Sequence, residues 1–150
     1  MAEVAPHRAQ QAFLDVMRTQ DRLLGEVAEF CKANGISESQ YNVLRILRGV
    51  GETGLSCQGI ASSMITRVPD VTRLIDRLEK LGLVERARSD DDRRVVVVKI
   101  GRPGLDLLAR LDEPVLALHE RQFSCLTTSE QHELSRLLAK LRGPRQGEPS

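Results

Sequence analysis

Residues 71–94 decide the fold of this 150-residue chain and read VTRLIDRLEKLGLVERARSDDDRR. Apolar side chains recur in the first part of this stretch at spacings of three and four, the period of an amphipathic helix. They are Val71, Leu74, Ile75, Leu78 and Leu81. We expect the helix to start at Pro69, since a missing N–H costs nothing at the first helical position, and to end at Gly82.

A shorter helix is predicted immediately before this one. Ser56 suits an N-cap, and the helix would run from Cys57 to about Met64. A turn over residues 65–68 then leads into the longer helix. Two helices joined by so short a turn, the second with polar residues facing outward, form a helix-turn-helix.

Two extended runs follow, over residues 83–88 and 94–100. The second contains four consecutive valines, and β-branched residues favour strand over helix. The residues between the runs, 89–93, are polar and rich in aspartate, which is typical of a turn. The pattern predicts a β-hairpin with a charged, exposed tip. A helix-turn-helix followed directly by such a hairpin is a winged helix.

Long amphipathic helices flank this central region. The first is predicted from Arg8 to about Lys32 and ends at Asn34-Gly35, because both residues tolerate the positive φ of a helix C-terminus. Capping boxes at residues 37–40 and 127–130 open two more helices. A further apolar stripe precedes the second box, with a bend expected at Pro114. Its members are Leu105, Leu108, Leu111, Val115 and Leu118.

The predicted fold class is therefore mostly α with a small β-hairpin wing: a winged helix-turn-helix flanked by long N- and C-terminal helices. We assign residues 1–36 to the N-terminal helix, 37–101 to the winged helix-turn-helix and 102–143 to the C-terminal helices. Residues 144–150 are predicted to form a flexible tail.

Charge is unevenly distributed along the chain. The total is close to neutral, with 22 Lys+Arg against 21 Asp+Glu and a formal charge of +1. This excludes a globally basic coat protein of nucleic acid and an acidic disordered chain. Residues 66–102 nevertheless carry ten basic and seven acidic side chains. A polyanion would therefore meet the middle of the chain.

Several kinds of site have no support in the sequence. Cys31, Cys57 and Cys125 lie far apart without a CxxC motif, which argues against a disulfide scaffold or a zinc ribbon. We expect Cys31 and Cys125 in the core and the chain in a reducing, cytoplasmic compartment. No apolar run reaches the roughly 20 residues needed to span a bilayer, so no membrane partner is expected. No metal-ligand spacing, phosphate loop or nucleophile elbow indicates a cofactor or an enzyme.

A known family shares several stretches of this sequence. They are Gln40-Tyr41-x-Val43-Leu44, Ile60-Ala61, the run from Val71 to Arg86, and Asp92-Arg93-Arg94. Over about residues 36–108 the chain resembles the MarR family of bacterial transcription regulators. The resemblance implies an obligate homodimer whose first and last helices interlock for dimerisation and whose two winged helices read a pseudo-palindromic operator in double-stranded DNA. It also implies that a small, often aromatic or phenolic, ligand releases the DNA.

The recognition helix supplies the first candidate DNA contacts. Arg73 lies on its outward first turns, where a guanidinium can bind phosphate or guanine O6/N7 in bidentate fashion. The alternative is a surface ion pair with Asp70 or Asp76, three residues away on either side. Further candidates at this helix are Arg67, Asp70, Thr72 and Arg77, of which Arg77 is expected to contact phosphate.

The wing supplies the remaining DNA candidates, Asp92, Arg93 and Arg94. An arginine at a hairpin tip can enter the minor groove, where negative potential is concentrated. We expect Asp92, two residues before Arg94 and on the same side of the strand, to orient it; the resemblance implies the same role. The alternative is a solvated acidic turn, since three consecutive aspartates replace the proline that is more common in the family.

A ligand site is predicted between the terminal helices and the DNA-binding region. Its candidate lining is Phe13, Met17, Tyr41, Leu44 and Arg45, which could equally be core or interface. The function predicted is a sequence-specific DNA-binding transcription regulator, a repressor released by a ligand. Two alternatives remain: a winged-helix protein-interaction module with its acidic wing turned to a basic partner, and a redox regulator switched by Cys57 at a helix N-terminus.

Overall fold

Helices form most of the computed structural model, which describes residues 7–144. In chain order the elements are α1 (Arg8–Ala33), α2 (Glu38–Val50), a 3₁₀ turn (Gly51–Thr53), α3 (Cys57–Ser63), α4 (Val71–Lys80), β1 (Val84–Arg88), β2 (Val96–Ile100), α5 (Arg102–Gln122) and α6 (Thr128–Arg142). The order confirms the predicted winged helix-turn-helix between long helices. Of the predicted flexible tail, residues 145–150 lie outside the described residues.

Side-chain caps fix where several helices begin. Ser37 and Gln40 form the predicted capping box: the Ser37 Oγ accepts the Gln40 N–H at 3.1 Å, and the Gln40 Oε1 accepts the Ser37 N–H at 2.9 Å. Thr127 and Glu130 do the same at α6. Gly35 alone takes the positive φ after α1, at 81°, while Asn34 keeps a negative φ. The predicted capping motifs are therefore confirmed.

The recognition helix α4 starts two residues later than predicted. Asp70 is its N-cap, with a non-helical φ of −140°, and its Oδ1 accepts the Arg73 N–H at 3.0 Å. An aspartate can satisfy an N–H that a helix starting at Pro69 would leave open, so the cap outweighs the preference of proline for a first helical position. Asp70 therefore has a structural role whatever else it contacts.

The core of the winged helix-turn-helix lies between α2, α3, α4 and the wing. Its fully buried members include Val43, Leu44 and Leu47 of α2, Ile60 of α3, Ile75 and Leu78 of α4, and Val98 of β2. The prediction for Leu81 is wrong: it is 54% exposed, because α4 ends at Lys80 and Leu81 only caps it.

The apolar stripe of α5 also differs from its prediction at one end. Leu105 lies in the first turn and is exposed, whereas Leu107, which the pattern did not single out, is buried. Leu108, Leu111, Val115 and Leu118 are buried as expected. One compact unit of the chain ends at Glu113 and another begins at Pro114, and the helix continues through that proline.

The wing is a two-stranded antiparallel hairpin. Val84 pairs with Ile100 and Arg88 with Val96, so β2 begins two residues later than predicted. Leu55 adds a bridge to Val98 on the other side of β2. The bridge requires glycine at position 54, since a Cβ there would lie 2.7 Å from the Val98 carbonyl oxygen and its φ is +67°.

The second unit exposes much of its apolar surface. No described residue of α6 is buried, and Leu137 and Leu141 are exposed. Cys125 is also exposed, contrary to the prediction that it belongs to the core, because it lies in the turn between α5 and α6 rather than on a helical stripe. None of the described helices combines the length and hydropathy needed to cross a bilayer.

Truncating a central and a terminal member of the α4 apolar stripe should have very different effects. Ile75→Ala removes a fully buried side chain and should lower the free energy of unfolding by about 2–5 kcal/mol. Leu81→Ala should lower it by less than about 1 kcal/mol, since that side chain is half exposed. Urea denaturation at one protein concentration measures both, and equal losses would contradict the burial described.

Candidate nucleic-acid interface

The recognition helix α4 shows two chemically different faces. Leu74, Ile75 and Leu78 are buried on one face. Thr72, Arg73 and Arg77 are exposed and lie at the remaining helical positions. Because the apolar face is held in the core, Thr72, Arg73 and Arg77 are left facing solvent, where a binding partner can reach them.

Arg73 is unpaired because both of its candidate partners are engaged elsewhere. The Asp70 carboxylate caps the helix through the backbone N–H of Arg73. The Asp76 carboxylate binds Arg86 at 2.6 Å. Within residues 7–144 the Arg73 guanidinium makes no ion pair or hydrogen bond. The surface ion pair considered as the alternative for Arg73 is therefore not formed.

Arg86 joins the wing to the recognition helix. From β1, its Nη2 lies 2.6 Å from Asp76 Oδ1 and its Nη1 lies 2.5 Å from Glu79 Oε2. The hydrogen bonds to Asp76 and Glu79 raise the pKa of the Arg86 guanidinium above its ordinary value, because they stabilise the charged form. Both acidic groups are thus engaged by Arg86, which offsets one of their two negative charges, beside the unpaired arginines. Sequence reasoning missed this contact, because no local spacing links positions 76, 79 and 86.

The turn before α4 carries another candidate. Arg67 is exposed in the segment between α3 and α4. The fold therefore brings Arg67, Asp70, Thr72, Arg73 and Arg77 to one short stretch around the start of α4, with Asp70 already occupied as the cap.

The wing tip holds Asp92 and Arg94 in a turn rather than on a strand. Asp92 Oδ1 accepts the backbone N–H of Arg94 at 3.0 Å. The expectation that the two share one strand face is wrong, because β2 begins at Val96. Asp92 thus shapes the backbone that carries Arg94, and the side chains of Arg93 and Arg94 are exposed.

Among the residues that the structure describes, Asp90 is the one wing aspartate with an ion-pair partner. Lys99 Nζ is 3.8 Å from Asp90 Oδ2, at the outer limit of an ion pair. Asp91 is exposed and its carboxylate has no partner among the described residues. The acidic character of the tip is therefore only partly neutralised.

The predicted ligand residues are divided between two environments. Tyr41 and Leu44 are buried on α2, and exposed Arg45 donates from Nη1 to the Tyr41 hydroxyl at 3.1 Å. Phe13 and Met17 lie on α1 and are exposed, Phe13 at 63%. A cavity of about 540 Å³ is lined instead by residues of the α1–α2 junction, including Ala28, Lys32 and Ile36. The ligand site stays a prediction.

The cysteines and histidines suggest no chemistry of their own. Burial, with a smaller effect of Glu38, raises the pKa of the Cys31 thiol to about 11, so it is protonated at neutral pH. Cys57 is half-buried at the start of α3, which has only seven residues. Across the part of the chain that the structure describes, no three His, Cys, Asp or Glu side chains are grouped to hold a metal ion.

Known proteins resemble this chain in sequence and in fold. The sequence model of the MarR family matches residues 36–96. The chain is 43% identical to a MarR transcription factor from Planctomyces limnophilus, over 89% of this chain and 97% of that one, with a TM-score of 0.68. It is 29% identical to the HTH-type transcriptional repressor IacR from Pseudomonas putida, over 84% of this chain and 74% of that protein.

A third similarity concerns the fold alone. A mutant of MarR from Escherichia coli, solved in complex with operator DNA, is 24% identical over 84% of this chain and 89% of that one, with a TM-score of 0.75. The relatives' names describe transcription regulators and not enzymes, as predicted for this chain.

The contact between Arg86 and Asp76 should be measurable as a coupling free energy. In a double-mutant cycle with Arg86→Met and Asp76→Asn, we expect a coupling of about 0.5–1.5 kcal/mol in the free energy of unfolding, decreasing as salt screens the charges. Arg102 and Asp106, a far more exposed pair on α5, are the control, for which we expect less than about 0.5 kcal/mol. Equal couplings for the two pairs would show that Arg86 does not hold the wing to α4.

Proposed function

Because the chain belongs to the MarR family of DNA-binding transcription regulators, we propose that it binds a two-fold-related operator as a homodimer and represses transcription by excluding polymerase. The repressor IacR among its relatives supports the direction of regulation. A regulator of this kind acts in the cytoplasm, where a bacterium keeps its DNA.

The observation that carries the proposal is the unpaired Arg73 on the outer face of α4. Arg73 and Arg77 are exposed, while the carboxylates of Asp76 and Glu79 are both held by Arg86 and not by either of these arginines. This local arrangement gives a nearly neutral protein a basic surface on one helix. Such a surface fits the phosphates and guanine edges of a duplex.

The size of α4 suits the major groove. Ten residues at 1.5 Å each make a helix of about 15 Å, and the N-terminal residues of a recognition helix contact base edges. Thr72 and Arg73 lie in that first turn. We assign base recognition to them and phosphate contacts to Arg67 and Arg77.

The wing is assigned to the minor groove. Arg93 and Arg94 extend from a turn that Asp92 holds by its backbone contact. The carboxylate of Asp91 would be repelled by phosphate. We therefore expect the wing to bind with its arginines in the minor groove and its carboxylates pointing away from the DNA backbone. The bound wing is therefore expected to add affinity without reading sequence.

Homodimer formation rests on apolar surface at both ends of the chain. Phe13, Val16 and Met17 of α1 are exposed, and so are Leu137 and Leu141 of α6. Exposed apolar side chains at helical spacing are typical of a protein interface. We assign residues 1–36 and 102–143 to dimerisation and 37–101 to DNA binding.

A small aromatic or phenolic ligand is proposed to release the DNA. Arg45 carries this assignment: its exposed guanidinium is held 5.8 Å from the centre of the buried Tyr41 ring and donates to the Tyr41 hydroxyl. A phenolate or an aromatic acid could bind this positioned cation.

Arg73→Ala and Arg94→Ala should weaken operator binding in different ways. Arg73→Ala should lower affinity about 10–100-fold and relax the preference at one base pair of each half-site, because a bidentate contact is worth about 1–3 kcal/mol. Arg94→Ala should lower affinity on all sequences and reduce the log–log salt slope by about 0.9 for each phosphate that the protein no longer neutralises. Binding isotherms over a salt series, on the operator and on scrambled DNA, measure both.

Arg136→Ala is the matched control, because Arg136 is exposed on α6, lies on a different face of that helix from Leu137 and Leu141, and within residues 7–144 bonds only to Glu133. It should bind like the wild type. Wild-type affinity in both the Arg73 and Arg94 variants would overturn the DNA assignment.

A further inference from the structure

The most exposed large apolar side chain described is Ile65, in the turn between α3 and α4. It is 89% exposed, more than any other large hydrophobic residue in the described part of the chain. Isolated exposed aliphatic residues are common and need no explanation by themselves. Ile65 differs from such residues because it lies in the turn just before the recognition helix, where a partner of that helix could contact it.

The backbone at Ile65 is held in place. Its N–H donates a hydrogen bond of 3.0 Å to Asn42 Oδ1, a side chain of α2 that lies 23 residues earlier. The turn is thereby tied to the core helix that also packs on α4. The Ile65 side chain is therefore presented to solvent from an anchored point of the backbone.

The charges around Ile65 indicate what kind of partner could cover it. Arg67 is two residues away and exposed, and Arg73 follows in the first turns of α4 without a partner among the described residues. A partner that covered Ile65 would therefore also come close to the Arg67 guanidinium, two residues along the chain. Duplex DNA combines the two required features, because thymine presents a C5-methyl group in the major groove between rows of phosphates.

We propose that Ile65 determines operator specificity by packing on a thymine methyl group in each half-site. The inference rests on the proposed function, since it requires that α4 enter the major groove. The contact of Ile65 with thymine would add an apolar interaction to the polar ones made by the arginines. The preference for thymine at that operator position would then depend on a residue outside the recognition helix.

Replacing thymine by uracil in the operator tests the contact, because the substitution removes only the methyl group. In the wild-type protein, uracil at the contacted position of one half-site should weaken binding about fourfold, the equivalent of ~0.8 kcal/mol for one buried carbon, and at both half-sites about 15-fold. In the Ile65→Ala variant, the same replacement of thymine by uracil should weaken operator binding less than about 1.5-fold. Ile65→Val, which keeps a branched aliphatic group, should retain the sensitivity.

Leu81→Ala is the control variant, since Leu81 is also exposed and apolar but lies at the far end of α4. It should keep the full response to uracil. Uracil sensitivity that is unchanged in Ile65→Ala, or absent at every thymine of a tightly bound operator, would overturn this inference and leave the proposed function standing. Absence of any operator binding by the wild type would instead overturn the proposed function.

Discussion

The burial of one face of α4 is the constraint on which the rest of this structure depends. Leu74, Ile75 and Leu78 must stay in the core, so the orientation of the helix about its own axis is fixed. That orientation places Thr72, Arg73 and Arg77 outside. Asp70 caps the N-terminus of the helix by accepting the backbone N–H of Arg73, so its carboxylate does not pair with the Arg73 guanidinium. Packing and capping together thus determine which polar groups are available to a partner.

The distribution of ion pairs explains how a chain of formal charge +1 can present a basic surface. Arg86 forms ion pairs with Asp76 and Glu79. Arg48 of α2 holds Asp112 of α5 through two hydrogen bonds of 2.8 and 2.9 Å, which lower the pKa of that carboxyl below its ordinary value. The two acids of α4, Asp76 and Glu79, are therefore bound to Arg86 and not to the arginines of the recognition surface.

Local rules predicted most of the fold, because caps and periodicity act over three or four residues. The capping boxes at Ser37 and Thr127, the stripe of α4 and the valine-rich strand were all accessible in this way. Burial at the ends of helices could not be predicted in this way. Leu81 is exposed because α4 has already ended, and Cys125 is exposed because it lies between α5 and α6. Both outcomes depend on where the helix ends lie. The contact of Arg86 with α4 also could not be predicted from local spacing, because it forms only when the chain folds back at the turn at Gly82.

The central claim is that the arginines around α4 and the wing tip, and no others, face DNA. Chemical modification of arginine by phenylglyoxal, read residue by residue by mass spectrometry with and without operator, tests it most directly. We expect operator DNA to protect Arg67, Arg73, Arg77, Arg93 and Arg94 several-fold. The exposed Arg110 of α5 and Arg136 of α6 should react at the same rate in both states. Protection of Arg110 or Arg136, with Arg73 and Arg94 still reactive in the complex, would contradict the claim.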